Sequence, residues 1–114
     1  MSTALPEVVV VLTTVPVGDL GETVARALVE ERLAACVNVC APMTSVYRWD
    51  GRVTHDLERQ IVVKTTVDRI DAIRERLARL HPYELPEFLV CPVRDGSDAY
   101  LAWVRSETAP TADP

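Results

Sequence analysis

Glycine is scarce in this 114-residue chain. Its four glycines form neither a G-x-S-x-G elbow nor a glycine-rich phosphate loop. That removes the usual frames for serine hydrolysis and nucleotide binding. There are only two histidines, and no CxxC or HExxH spacing, so no zinc motif is present. Basic residues are also in short supply. Lys and Arg number 12 against 17 Asp and Glu, for a net charge of −5, which argues against neutralising a nucleic-acid backbone. Long apolar runs are missing too. The opening stretch has only Val8 to Leu12 uninterrupted and no basic residues before it, too little for an export signal or a membrane span. A cytoplasmic protein without a membrane partner is expected. Three cysteines, an odd number, fit reduced thiols rather than a disulfide framework.

The hydrophobic fraction, 48%, suits a globular chain with its own core, and the length suits one domain spanning 1–114. Order is expected from about residue 7 to 106. Residues 107–114 lie in the small, polar, Pro-containing end and are expected to form a flexible tail.

The run Val8 to Leu12 is β-branched and does not alternate, as in a strand buried on both faces. Leu20, Val24, Ala27, Leu28 and Ala35 recur at helical spacing, although Glu31 interrupts the stripe. Val37 to Trp49 reads as extended, with Pro42 marking an edge, a bulge or a bend. Asp50-Gly51 predicts a two-residue hairpin turn, with the return strand reaching about Thr65. Thr66 is a candidate cap for a helix carrying Val67, Ile70, Ile73, Leu77 and Leu80, which Pro82 ends. Phe88 to Val93 predicts a short edge strand containing Pro92. Ser97 can cap a last helix over 98–104. The order βαββαβ plus a C-terminal helix predicts an α+β, ferredoxin-like antiparallel sheet. Right-handed crossovers put its first and third strands in the centre.

Several segments resemble the CutA divalent-cation tolerance family: VVVLTTVP at Val9–Pro16, LVEERLAACVNV at Leu28–Val39, SVYRWDGRV at Ser45–Val53, VVKTT at Val62–Thr66 and LHPYELPEFLVCPV at Leu80–Val93. Together they cover nearly the whole chain up to Val104. The resemblance implies a homotrimer built from long hairpins and a role in the response to divalent metals, copper above all. In the bacterial branch, copper binding uses a first-strand cysteine and a His-His pair before Pro-Tyr. Here Thr13 and Leu80 replace two of those ligands, leaving His81. Weak copper binding with no required cofactor is therefore implied. His81 also reads simply as a helix C-terminal residue favoured by the dipole.

Cys36, Cys40 and Met43 are soft donors close in sequence, but the two cysteines would sit about 13 Å apart on a regular strand. They read as small apolar residues. The family motifs also contain Tyr47, Trp49, Glu58, Lys64, Tyr83 and Glu87, a mix of aromatic and polar groups near the cleft expected between subunits. Such a set suits a small-ligand site or a subunit interface. Lys64 follows Ile61, Val62 and Val63, so a buried ion pair with Glu87, or with Glu84, is expected. If the cleft is a ligand site, Lys64 would instead meet a small anionic ligand. An effector-binding signalling trimer is the alternative function, by analogy with other ferredoxin-like trimers. No catalytic residues are identified. An acylphosphatase-like loop and the surface aromatics of an RNA-binding sheet are both missing.

Overall fold

The computed structural model describes residues 5–110. The β-branched opening run becomes β1 (Val8–Pro16), followed by α1 (Leu20–Glu30), β2 (Cys36–Trp49) and β3 (Arg52–Thr66). A single 3-10 turn, Val67–Arg69, leads into α2 (Ile70–Leu80), and then β4 (Leu89–Pro92) and α3 (Asp98–Thr108) complete the chain. The sheet order is β2-β3-β1-β4, with every pair antiparallel. Pro42 and Pro92 thus fall in the two edge strands, because a residue without an N–H cannot serve a ladder on both sides, while Pro16 only ends central β1.

The β2–β3 hairpin closes as its sequence predicts. Asp50 and Gly51 have φ of 50° and 74°, the positive values that a two-residue turn of this kind needs. Trp49 pairs with Arg52, and the register runs back without a break to Pro42 opposite Arg59. A shift between Val39 and Pro42 then absorbs one extra residue on β2, and Arg59 Nε fills the gap by donating to the Cys40 carbonyl at 2.8 Å. This is the bulge anticipated at Pro42.

The core lies between the helices and one face of the sheet. Val11, Val15, Ile61 and Val63 meet Val24 and Leu28 of α1 and Ile73 and Leu77 of α2, all of them buried. Gly21 is buried where α1 comes closest to the sheet. A methyl group there would sit 2.9 Å from Val39 Cγ1. On the opposite face α3 covers only one end, through Val104 against Val8 and Ala35. Further along that face, Val10, Leu12, Val62 and Lys64 are only half-buried. The expectation that β1 is buried on both faces therefore holds for one face along its length. Within a single chain no further layer packs on the other.

Four sequence expectations are corrected. First, α1 ends at Glu30, and Ala35 lies beyond it. Arg32 turns to φ 60°, and Leu33 and Ala34 both donate to the Leu28 carbonyl, so Ala35 is buried by the strand entry rather than by a helical stripe. Second, Val67 is exposed in the 3-10 turn, and the apolar stripe of α2 starts at Ile70. Third, Thr66 does not cap with its side chain. Its hydroxyl meets that of Thr108 at 3.2 Å. Fourth, α3 runs a turn beyond Val104, because Thr108 is buried and also donates to the Val104 carbonyl at 2.8 Å. Of the expected tail, 107–108 are helical and 111–114 lie outside the described residues. The Ser97 cap forms as expected, with Tyr100 N donating to its hydroxyl at 3.2 Å.

Candidate functional site

The expected aromatic and acidic residues converge on one cleft. It has a volume of about 790 Å3 and lies between the turn-side half of the hairpin and the loop after α2. The hairpin supplies Tyr47, Arg48, Trp49, Asp56 and Glu58, and the loop supplies Pro82 through Glu87. Period two sends Tyr47, Trp49, Asp56 and Glu58 to the same side of the hairpin, since Tyr47 pairs with Thr54 and Met43 with Glu58. Leu80 is followed by the pair His81-Pro82, and the residue before a proline is pushed out of the helical region. His81 accordingly has φ −85° and ψ 131°, which swings the loop over the hairpin.

Two tyrosine–carboxylate pairs organise the cleft. Tyr47 donates its hydroxyl to Asp56, and Tyr83 donates to Glu58 Oε2 at 3.1 Å. Burial and the Glu58 carboxylate push the Tyr83 phenol up to about 12, with Asp56 and Tyr47 adding smaller pushes the same way. The hydrogen bond to Asp56 raises Tyr47 as well, followed by burial and the nearby charges. A spectrophotometric titration should show the Tyr83 phenolate forming only as pH nears about 12. Because folding favours the protonated phenol, this contribution to stability is present below the ordinary tyrosine value near 10. It is lost as pH rises toward about 12. Glu58→Gln should move that titration down, and an unmoved curve would remove Glu58 as its cause.

His81, the expected metal ligand, uses both ring nitrogens within the fold. Nδ1 accepts from Tyr83 N at 3.2 Å, so Nε2 carries the proton and donates to the Thr14 carbonyl at 2.5 Å. Its ring lies 4.6 Å from that of Tyr83. Thr13 is fully buried and falls in step with Val11 and Val15 on the helix-facing side, where its hydroxyl finds no partner among the described residues. All three cysteines are free, and Cys36 receives only Asn38 Nδ2, at 4.0 Å. No group of three or more His, Cys, Asp and Glu side chains could hold a metal ion among the described residues. These donors do not fit a tight copper site within one chain.

Within one chain the expected Lys64–Glu87 ion pair does not form, nor does the Glu84 alternative. Lys64 Nζ donates to Asn38 Oδ1, its diagonal neighbour on β2, while Glu87 accepts from Gln60 Nε2 at 2.9 Å. Gln60 also donates to the Thr13 carbonyl at 2.6 Å and so ties the loop to β1. Lys64 lies outside the cleft lining. The physical reason is its half-buried position on the open face, where a neutral amide suffices and no carboxylate needs neutralising.

Asp56 and Arg48 were not anticipated as cleft residues. Asp56 was legible, however. Once Asp50-Gly51 fixes the turn, Asp56 falls diagonal to Tyr47 on the same face. Tyr83's partner was not legible, since it depends on the path of the loop.

The family described as CutA1 divalent ion tolerance protein matches residues 9–107 of this chain. The divalent-cation tolerance protein CutA of Thermus thermophilus is 48% identical over 99 residues, covering 87% of this chain and 96% of that protein. Human protein CutA is 39% identical over 100 residues, covering 88% of this chain and 56% of its own length. Among solved structures, the divalent cation tolerance protein (Cut A1) from Thermus thermophilus superposes with a TM-score of 0.87 at 47% identity, covering 90% of this chain and 99% of that one. CutA1 from Oryza sativa gives 0.88 at 36% identity, covering 96% and 100%.

Proposed function

Since this chain belongs to the CutA1 divalent ion tolerance protein family, we propose that it works as a homotrimer in the cellular response to divalent metal ions, without catalysing a reaction. The observation that carries the assembly is the projecting hairpin. Val46, Val53 and Leu57 alternate onto one side of it and are 68%, 67% and 59% exposed. Scattered apolar residues are ordinary on a surface, but a row of them on a two-stranded arm needs cover. The radius of gyration, 15.5 Å, exceeds the roughly 13 Å of a compact chain this long, as an arm reaching for a partner requires.

Contact with copper is weak in this reading, because His81 must surrender the Tyr83 N–H before it can ligate. Both perturbed tyrosines are pushed away from neutral pH, the wrong direction for acid–base work, which supports a non-enzymatic role. We take the compartment to be the cytosol, which suits the free cysteines. A second reading is favoured by the cleft itself, whose volume falls in the range of small-molecule sites. In it the trimer senses an effector bound there.

Sedimentation equilibrium tests the assembly. A mass three times that of the 12.6 kDa chain is expected at micromolar concentration. A monomer would overturn the proposal.

A further inference from the structure

We infer that the cleft between the hairpin and the Pro82–Glu87 loop takes a small organic cation, an alkylammonium or guanidinium of polyamine size. This deepens the reading of the cleft as an effector site and rests on it.

The lining decides the ligand's charge. Asp56, Glu58, Glu84 and Glu87 bring four carboxylates, against a single cation, Arg48. Arg48 sits two residues from the turn, and its one hydrogen bond leads away from the cleft, from Nη1 to the Gly51 carbonyl at 3.5 Å. Lys64, the residue that would have greeted an anion, is held elsewhere by Asn38. An anion would therefore enter a negative field with no free cation turned to meet it.

The aromatic walls decide between a metal and an organic ion. Tyr47, Trp49 and Tyr83 offer π faces, which attract diffuse cations best when water is displaced. The hydroxyls of both tyrosines are committed to Asp56 and Glu58, so each of those carboxylates is held by one oxygen and keeps the other for a ligand. The carboxylates are spread along the walls and do not converge on a point. That spacing suits donors distributed along a chain, as in a polyamine, and not the tight oxygen shell of a small ion. The volume, about 790 Å3, is also far more than one ion needs. The raised tyrosine values agree with a negative field in the cleft.

The test uses Trp49 as its reporter, in the full chain with Trp103→Phe to silence the other tryptophan, which lies on α3. Spermidine and tetraethylammonium are titrated at physiological ionic strength, with ATP and magnesium as comparisons. Saturable changes with the organic cations are expected, with magnesium and ATP much weaker. Glu58→Gln should weaken spermidine binding about tenfold. Should that variant fold poorly, Glu84→Gln on the exposed loop should weaken it in the same direction. Tighter binding of ATP than of spermidine would overturn the cation inference and leave the effector reading standing. So would spermidine binding that neither carboxylate variant weakens. No saturable response to any probe up to about 10 mM would overturn both.

Discussion

Val46→Lys combined with Leu57→Lys is expected to convert the proposed trimer to single chains of 12.6 kDa, with the fold of each chain intact. Both side chains lie on the same side of the hairpin and are largely exposed within one chain, so neither supports its core. Covering a Val or Leu on assembly contributes about 1.5–3 kcal/mol each. Every chain of a trimer would lose both contributions. Each lysine would also need its charge paired or returned to water, a further cost of several kcal/mol if it were trapped in the interface. These combined losses exceed what a micromolar trimer can absorb. The measurements are sedimentation for mass and circular dichroism for fold. If the double variant kept the wild-type trimer mass, the hairpin would not be the assembling element.

Gly21→Val is expected to destabilise the folded chain by about 2–3 kcal/mol. In an ordinary helix position, replacing glycine with alanine helps by roughly 0.5–1 kcal/mol, and with valine by less, because glycine loses the most backbone freedom on folding. Here the space is already taken. A Cβ would lie 2.9 Å from Val39 Cγ1, 3.3 Å from Ile61 Cδ1 and 3.4 Å from Val15 Cγ2. Val39 and Val15 are β-branched and have stiff rotamers. They also sit in paired strands, so neither can swing aside easily. Valine adds two more methyl groups to a Cβ that already crowds. Denaturant melts of Gly21→Val, and of the same variant with Val39→Ala, separate crowding from backbone effects. The second change should restore part of the loss. If Val39→Ala gave no recovery, the close approach of α1 to the sheet would not be the cause.

The fold was legible wherever one residue type has one structural meaning. Pro42 and Pro92 cannot donate into a ladder on both sides, so they marked the two edge strands. Asp50-Gly51 tolerates positive φ and fixed the hairpin to the residue. The 3.6-residue stripe of α2 was correct from Ile70 onward. The stripe of α1 misled at Ala35 because a buried alanine fits a helix face and a strand entry equally well. The same limit governs the site. Tyr47, Trp49, Glu58, Tyr83 and Glu87 were all identified, and the fold brings them to one cleft. Lys64 was grouped with them by its motif and shares their face of β3, but it lies six residues beyond Glu58, outside the cleft lining.

By itself, then, the sequence determined the elements, their order, the edge and central strands, and the family. Each of these follows from local backbone chemistry or from motifs that keep their spacing along the chain. Only the tertiary structure decided who bonds to whom. Register counted from the Asp50-Gly51 turn carries as far as Pro42 and is lost at the shift beyond it, so Asn38 could not be set beside Lys64 from the sequence. The loop after α2 takes its direction from the packed helix, and that direction gives Glu58 to Tyr83 and Glu87 to Gln60. Long polar side chains reach several partners at similar cost. Which partner is met depends on how the backbone is positioned by packing, and no local pattern in the chain encodes that.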